Sequence, residues 1–175
     1  MLGIDVSKVS LSSYDENWEK QFLIIKDELI TILGNNVVEI HHIGSTAIKG
    51  IAAKPIIDVA VVVKDIQSLM KEMKTAGYEL VMQRDPGRYC FSKLNGDNMD
   101  TRHVHCFLEN HAKLKVMISF CKFLNENPEY AKQYNDLKIA LAEKYPDDRN
   151  SYGEGKSEFI NMITNLAKNK YGKER

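Results

Sequence analysis

The chain reads as an α+β domain. Two observations predict it: β-rich segments are concentrated between residues 37 and 108, and helical periodicity takes over from about residue 112. A third is length: 175 residues are enough for one full hydrophobic core and too few for two comfortable ones. Apolar residues make up 43% and charged residues 27% of the chain, an ordinary globular composition.

Ser13 and Glu16 have the spacing of a capping box, and Trp18, Phe22, Ile25, Leu29 and Ile32 then recur every three or four positions. They predict a first helix ended by Gly34. "VVEIHHI" reads as a strand, the Gly44-Ser45 pair breaks it, and "IIDVAVVV" is a β-branched run suited to a central strand. Asp65 is placed to cap a second helix carrying Ile66, Leu69, Met70 and Met73, closed by Gly77. Three more strands follow in "YELVMQ", "YCFSKL" and "TRHVHCFL", separated by the turn-forming "RDPGR" and "NGDN". The helical part comprises "KVMISFCKFLNEN", a Pro128 start into "EYAKQYNDLKIALAEKY", and "RNSYGEGKSEFINMITNLAKN".

Acidic and basic residues are both 24, so no global charge favours a polyanion and no strong nucleic-acid signal is present. The basic run from 168 to 175 reads as a solvated tail. Cys90, Cys106 and Cys121 form no CxxC pair, which argues against a disulfide framework and for a reducing compartment. With no signal-like start and no long apolar stretch, the expected location is cytoplasmic, without a membrane partner.

Three clusters carry candidate chemistry. A Gly-Ser pair after a strand lets backbone N–H groups approach a phosphate, with Lys54 nearby, although the spacing is not that of a Walker A loop. Asp58 interrupts an apolar strand, where an unpaired carboxylate is costly, so it needs an ion-pair partner such as Lys54 or an arginine, or else a metal ion. In "TRHVHCF" the period of two sends His103 and His105 to one face, where they can bind metal or phosphate, and Arg102 and Val104 to the other. His42 could join the pair. On a continuous helix, Arg149, Tyr152 and Lys156 share a face that can meet an anion or simply be solvated.

Five segments, "YDENW", "HIGSTAIKGIAAKPIIDV", "GY", "RHVHCF" and "YPDDRNSYGEGKSEFI", resemble the GrpB family, also labelled UPF0157. That family is assigned to the nucleotidyltransferase superfamily of polymerase-β-like folds. The resemblance spans about residues 14 to 160 of a single domain, 1–175. It implies a twisted mixed sheet with helices packed against it, the Gly-Ser turn opening a short helix, and a cleft beside the Asp58 strand. The superfamily pattern places a second carboxylate two positions after the first, where this chain has Ala60.

The resemblance therefore implies a nucleotide or phosphorylated small molecule as ligand and a divalent metal, Mg or Mn, as cofactor. The expected catalytic residues are Asp58, His103 and His105, and the expected metal ligands Asp58, His105 and His42. Phosphate contacts are expected from Gly44, Ser45, Thr46, Lys54, Arg102, Arg149, Tyr152 and Lys156. Three functions remain open: nucleotidyl transfer to an acceptor, a binding module that has lost the carboxylate triad, and a His/Asp metal-dependent phosphohydrolase.

Overall fold

The computed structural model describes residues 2–5, 7–85 and 87–172. Pro86 of the "RDPGR" turn and residues 173–175 of the expected tail lie outside the described residues. Five strands, β1 (Val37–Ile43), β2 (Ile57–Val63), β3 (Glu79–Asp85), β4 (Arg88–Leu94) and β5 (Asp100–Leu108), form one sheet in the order β1-β2-β5-β4-β3. β2 and β5 run parallel at its centre and the other pairs are antiparallel, so the sheet is mixed.

Alternation along the strands gives the sheet two apolar faces, and each is covered by helices. On one face, Val59, Val61 and Val63 of β2 and Val104 and Cys106 of β5 pack under α1 (Asn17–Leu33) and α2 (Leu69–Thr75). The α1 stripe of Trp18, Phe22, Ile25 and Leu29 is buried as its spacing predicts, with Leu33 taking the last place expected for Ile32. On the other face, Ala60, Val62 and Phe107 meet α3 (Ala112–Glu126), α4 (Pro128–Lys144) and α6 (Ser157–Tyr171). Among the described residues, no helix is long and apolar enough to cross a membrane.

Three local expectations are corrected. The Ser13/Glu16 box does not form: Glu16 is the N-cap without a side-chain bond, and Asp15 instead accepts from the backbone N–H of Asn17 at 2.9 Å. The last helix is two: α5 (Arg149–Gly155) ends before α6 begins. Gly155 packs so closely on α4 that an added Cβ would lie 3.1 Å from Leu141 Cδ1, and Lys156 becomes the N-cap of α6. The tail read as solvated from 168 is exposed at Lys168, Asn169 and Lys170 but is helical to Tyr171 rather than frayed, and Lys170 Nζ pairs with Glu126 at 2.8 Å.

Candidate functional site

Asp58 is the second residue of β2 and lies on the face covered by α3, α4 and α6, where β1 presents Ile43 and β5 presents His103 in register with it. The chain leaves β1 at Gly44 with φ +73 and ψ −172, backbone space that essentially only glycine enters, and then makes a short 3-10 turn over Ser45–Ala47. That path brings the turn against Asp58, because a Cβ on Gly44 would sit only 2.8 Å from Asp58 Cβ. The strand-to-turn geometry therefore fixes Gly44, Ser45 and Asp58 as one corner.

The carboxylate is not alone. Asp58 Oδ1 lies 3.3 Å from His103 Nδ1 and 3.5 Å from His105 Nε2. The other ring nitrogen of His103 bonds Asp100 Oδ2 at 2.9 Å, and Arg149 comes within 3.8 Å of that same oxygen. Burial would raise the Asp58 pKa, but hydrogen bonds from His103 and His105 outweigh it and hold the carboxyl well below the usual range. For His103, burial disfavours the imidazolium; the bonds to Asp100 and Asp58 prevail and push its pKa up to about 9. The corner is thus a carboxylate–imidazolium–carboxylate chain backed by a guanidinium.

Above it opens a cleft of about 420 Å³. Its polar end holds Ser45, Thr46, Lys54, Asp58, His103 and Lys156, with Tyr152 between the lysines' reach: Lys156 Nζ is 4.0 Å and Lys54 Nζ 5.4 Å from the ring centroid. Burial, and after it the repulsion of Lys54, brings the Lys156 pKa down to about 8. Burial, then the charge of Arg149, lowers that of Lys54. The rest of the lining comes from the helices and is largely apolar, with Val116, Met117 and Phe120 of α3, Tyr134 of α4 and Ile160 of α6, and with Lys113, Asn161 and Thr164 as polar residues among them.

The 47–54 loop that carries Lys54 is clamped from the helical layer. Asn125 bonds both Lys49 N and Ala47 O at 2.9 Å, Asn135 accepts from Ala52 N at 2.7 Å, and the ammonium of Lys138 donates to Ala52 O. Lys138 is 1% exposed, and burial, reinforced by Lys156, lowers its pKa to about 7.

Gly44, Ser45, Thr46, Lys54, Asp58, His103, Tyr152 and Lys156 are brought together as expected. Four residues are not brought to the cleft as expected. His42 pairs in register with Val59, so it points to the opposite face, stacks on Phe22 at 4.8 Å and bonds Thr46 Oγ1 at 3.0 Å. Arg102, also on that face, reaches Glu28, which Lys93 shares at 2.7 Å. Arg149 secures the N-terminal segment by donating to the carbonyls of Lys8 and Asp5 at 3.0 and 3.1 Å. His105 supports Asp58 from within β5 without lining the cleft.

The expected ligand set of Asp58, His105 and His42 is therefore not assembled, since the sheet separates His42 from the other two. Asp58 Oδ1 is shared by two imidazoles, both ring nitrogens of His103 are engaged by carboxylates, and Ala60 offers no donor. Among the described residues no group of three or more His, Cys, Asp or Glu is arranged to hold an ion. This donor set does not fit the divalent metal expected from the family resemblance.

Sequence reasoning missed Lys113, Asn161 and Thr164 of the lining and the whole apolar wall. Lys113, Val116, Met117 and Phe120 do stand at i, i+3, i+4 and i+7, a helical stripe that could have marked them. Asp100, the residue before the segment "TRHVHCFL", is the first residue of β5 and the partner of His103.

Comparison with known proteins agrees with this architecture. The glutamate-rich protein GrpB of Alkalihalophilus pseudofirmus is 41% identical over 94% of this chain and 99% of its own. The UPF0157 protein YqkA of Bacillus subtilis is 36% identical over 92% of this chain, which spans 48% of that protein. The crystal structure of conserved protein GrpB from Enterococcus faecalis superposes with TM-score 0.86 at 34% identity, covering 94% of this chain and 100% of that one. A chain of the GLD-2/RNP-8 complex matches with TM-score 0.56 at 15% identity, over 89% of this chain and 61% of that chain, a likeness of fold that makes the arrangement nucleotidyltransferase-like. A family model described as GrpB protein matches residues 8–166, and the chain belongs to the GrpB family.

Proposed function

We propose that this chain binds a nucleotide or another phosphorylated small molecule, with the phosphate at the polar end of the cleft. One observation carries the reading: Lys54 and Lys156 converge on Tyr152 beside the Gly44–Ser45 turn, and among the described residues neither has a carboxylate partner in an ion pair. The charge of Asp58 acts on both and that of Asp100 on Lys54, but with neither lysine in a direct ion pair the two half-buried ammonium groups still repel each other, and an anion seated between them offsets that cost. Ser45 adds a hydroxyl, and the apolar wall of α3 and α6 suits the organic part of such a ligand.

A thermal-shift panel of nucleoside mono-, di- and triphosphates and sugar phosphates tests it. A ligand at about 100 times its dissociation constant adds roughly 2.7 kcal/mol to stability, and the Lys156→Gln variant should lose most of that shift. The absence of a shift with every phosphorylated compound contradicts the reading.

A second reading keeps group transfer, supported by the nucleotidyltransferase-like fold and by a carboxylate at the cleft floor. In it an acceptor hydroxyl oxygen bonds to the α-phosphorus of a nucleoside triphosphate as the bond from that phosphorus to the oxygen bridging to the β-phosphate breaks, pyrophosphate leaving and the hydroxyl proton passing to solvent. Asp58, held strongly ionised, contributes fixed charge and not proton abstraction, because a base works best with a pKa near the operating pH. Pyrophosphate release on mixing triphosphate with a panel of alcohols would support transfer, and tight binding without release would leave binding alone.

A further inference from the structure

Resting on the phosphate-cleft reading, we propose that Lys54 and Lys156 take the place of a divalent cation, so that the ligand's phosphate binds this cleft without magnesium or manganese. The carboxylate that would anchor an ion is already committed: Asp58 Oδ1 stands 3.3 and 3.5 Å from two imidazoles, and its other oxygen is packed against the Gly44 turn. Asp100, the other carboxylate of the corner, is 3% exposed and bonds His103 at 2.9 Å. Magnesium is usually held by one or two carboxylates, with water and the ligand's phosphate completing its roughly six oxygens, and both carboxylates of this corner are engaged by His103.

The positive charge is supplied otherwise. The two ammonium groups carry together the charge of one divalent ion, and they sit at the cleft's polar end on the Tyr152 ring, which confines them without neutralising them. Lys156 joins two helices, as C-cap of α5 and N-cap of α6, so helix-end charges of opposite sign meet there and the preference for an anion comes from the two ammonium groups alone. Two ammonium groups gathered on one ring are unfavourable in the free protein and become favourable once a phosphate is present. A metal ion added to such a site would meet two resident cations at close range, and a phosphate already neutralised has little need of it.

Isothermal titration of the full chain with inorganic phosphate and with adenosine monophosphate tests the inference. Each titration is run in chelator after metal stripping, and again in magnesium and in manganese. The expected result is an affinity in chelator within about twofold of that with either ion, and a loss of about tenfold or more in each of Lys54→Gln and Lys156→Gln. Single variants are used because each removes one charge from a cleft whose fold is held elsewhere, and their circular dichroism and melting profiles confirm folding. Binding that requires either ion, or that tightens more than about tenfold with it, overturns metal-independent neutralisation while leaving the phosphate cleft in place. Binding equally strong in both lysine variants also overturns it. No binding of either probe in any buffer overturns the phosphate cleft itself and this inference with it.

Discussion

Replacing Gly44 by alanine should destabilise the protein by about 2 to 6 kcal/mol, because two independent penalties meet at that residue. With φ +73 and ψ −172, Gly44 occupies a region that costs any other residue about 1 to 3 kcal/mol. The new methyl would stand 2.8 Å from Asp58 Cβ and 2.9 Å from its Cγ, well inside the contact optimum of roughly 3.5 to 4.0 Å. Relieving such overpacking costs about 1 to 3 kcal/mol more. Gly50→Ala separates the two, since Gly50 also has positive φ, +76, but nothing lies within 4 Å of an added Cβ. It should cost only the backbone part, about 1 to 2 kcal/mol. Urea unfolding followed by the fluorescence of Trp18, the single tryptophan and 2% exposed, reports both variants. A Gly44→Ala loss no larger than that of Gly50→Ala would refute the contact between the turn and Asp58.

Three further outcomes follow from the same geometry. The His103 pKa is raised to about 9 from 6.5, so its stabilising contribution is complete below pH 6.5 and disappears as pH rises through about 9. The stability gap between wild type and His103→Asn, measured by urea unfolding, should shrink by up to about 3 kcal/mol over that window, and a gap constant with pH would contradict it. For Lys138, whose pKa is lowered to about 7, the sign is opposite: the cost of burying its charge is fully felt below pH 7 and fades toward its ordinary value of 10.5. Lys138→Met should therefore gain more stability, or lose less, at pH 6 than at pH 10, within the roughly 1 to 4 kcal/mol typical of replacing buried charge. Arg102→Met should weaken the protein by about 1 to 3 kcal/mol by leaving Glu28 short of a partner, yet alter phosphate affinity by less than about twofold, since Arg102 faces away from the cleft.

Much of the fold was legible because its signals are local. The β-branched run of β2 and the alternation of β5 place strands within a residue or two of where they lie, and the apolar stripe of α1 is buried nearly as read. Alternation alone sent Arg102 and His103 to opposite faces, as they are found. The losses came where a neighbour decides. His42 reads as a companion of Asp58 by sequence distance, but the register of β1 on β2 pairs it with Val59 and gives Asp58 the company of Ile43. The close approach of Gly155 to Leu141 of α4, beside the break between α5 and α6, is a long-range contact with no trace in the local sequence. The candidate site divided the same way. The motif residues of the Gly-Ser turn, Lys54 and Asp58 were readable, whereas the apolar wall arises only when α3, α4 and α6 close over the sheet.

The most direct test of the central claim is a crystal structure of the full chain soaked with tungstate, a phosphate mimic whose anomalous signal locates it without ambiguity. One ordered anion is expected in the cleft, within hydrogen-bond distance of Nζ of both Lys54 and Lys156 and absent from crystals of the Lys156→Gln variant. Tungstate bound elsewhere, with both cleft lysines left without it, would contradict the claim that this cleft is where the protein takes hold of phosphate.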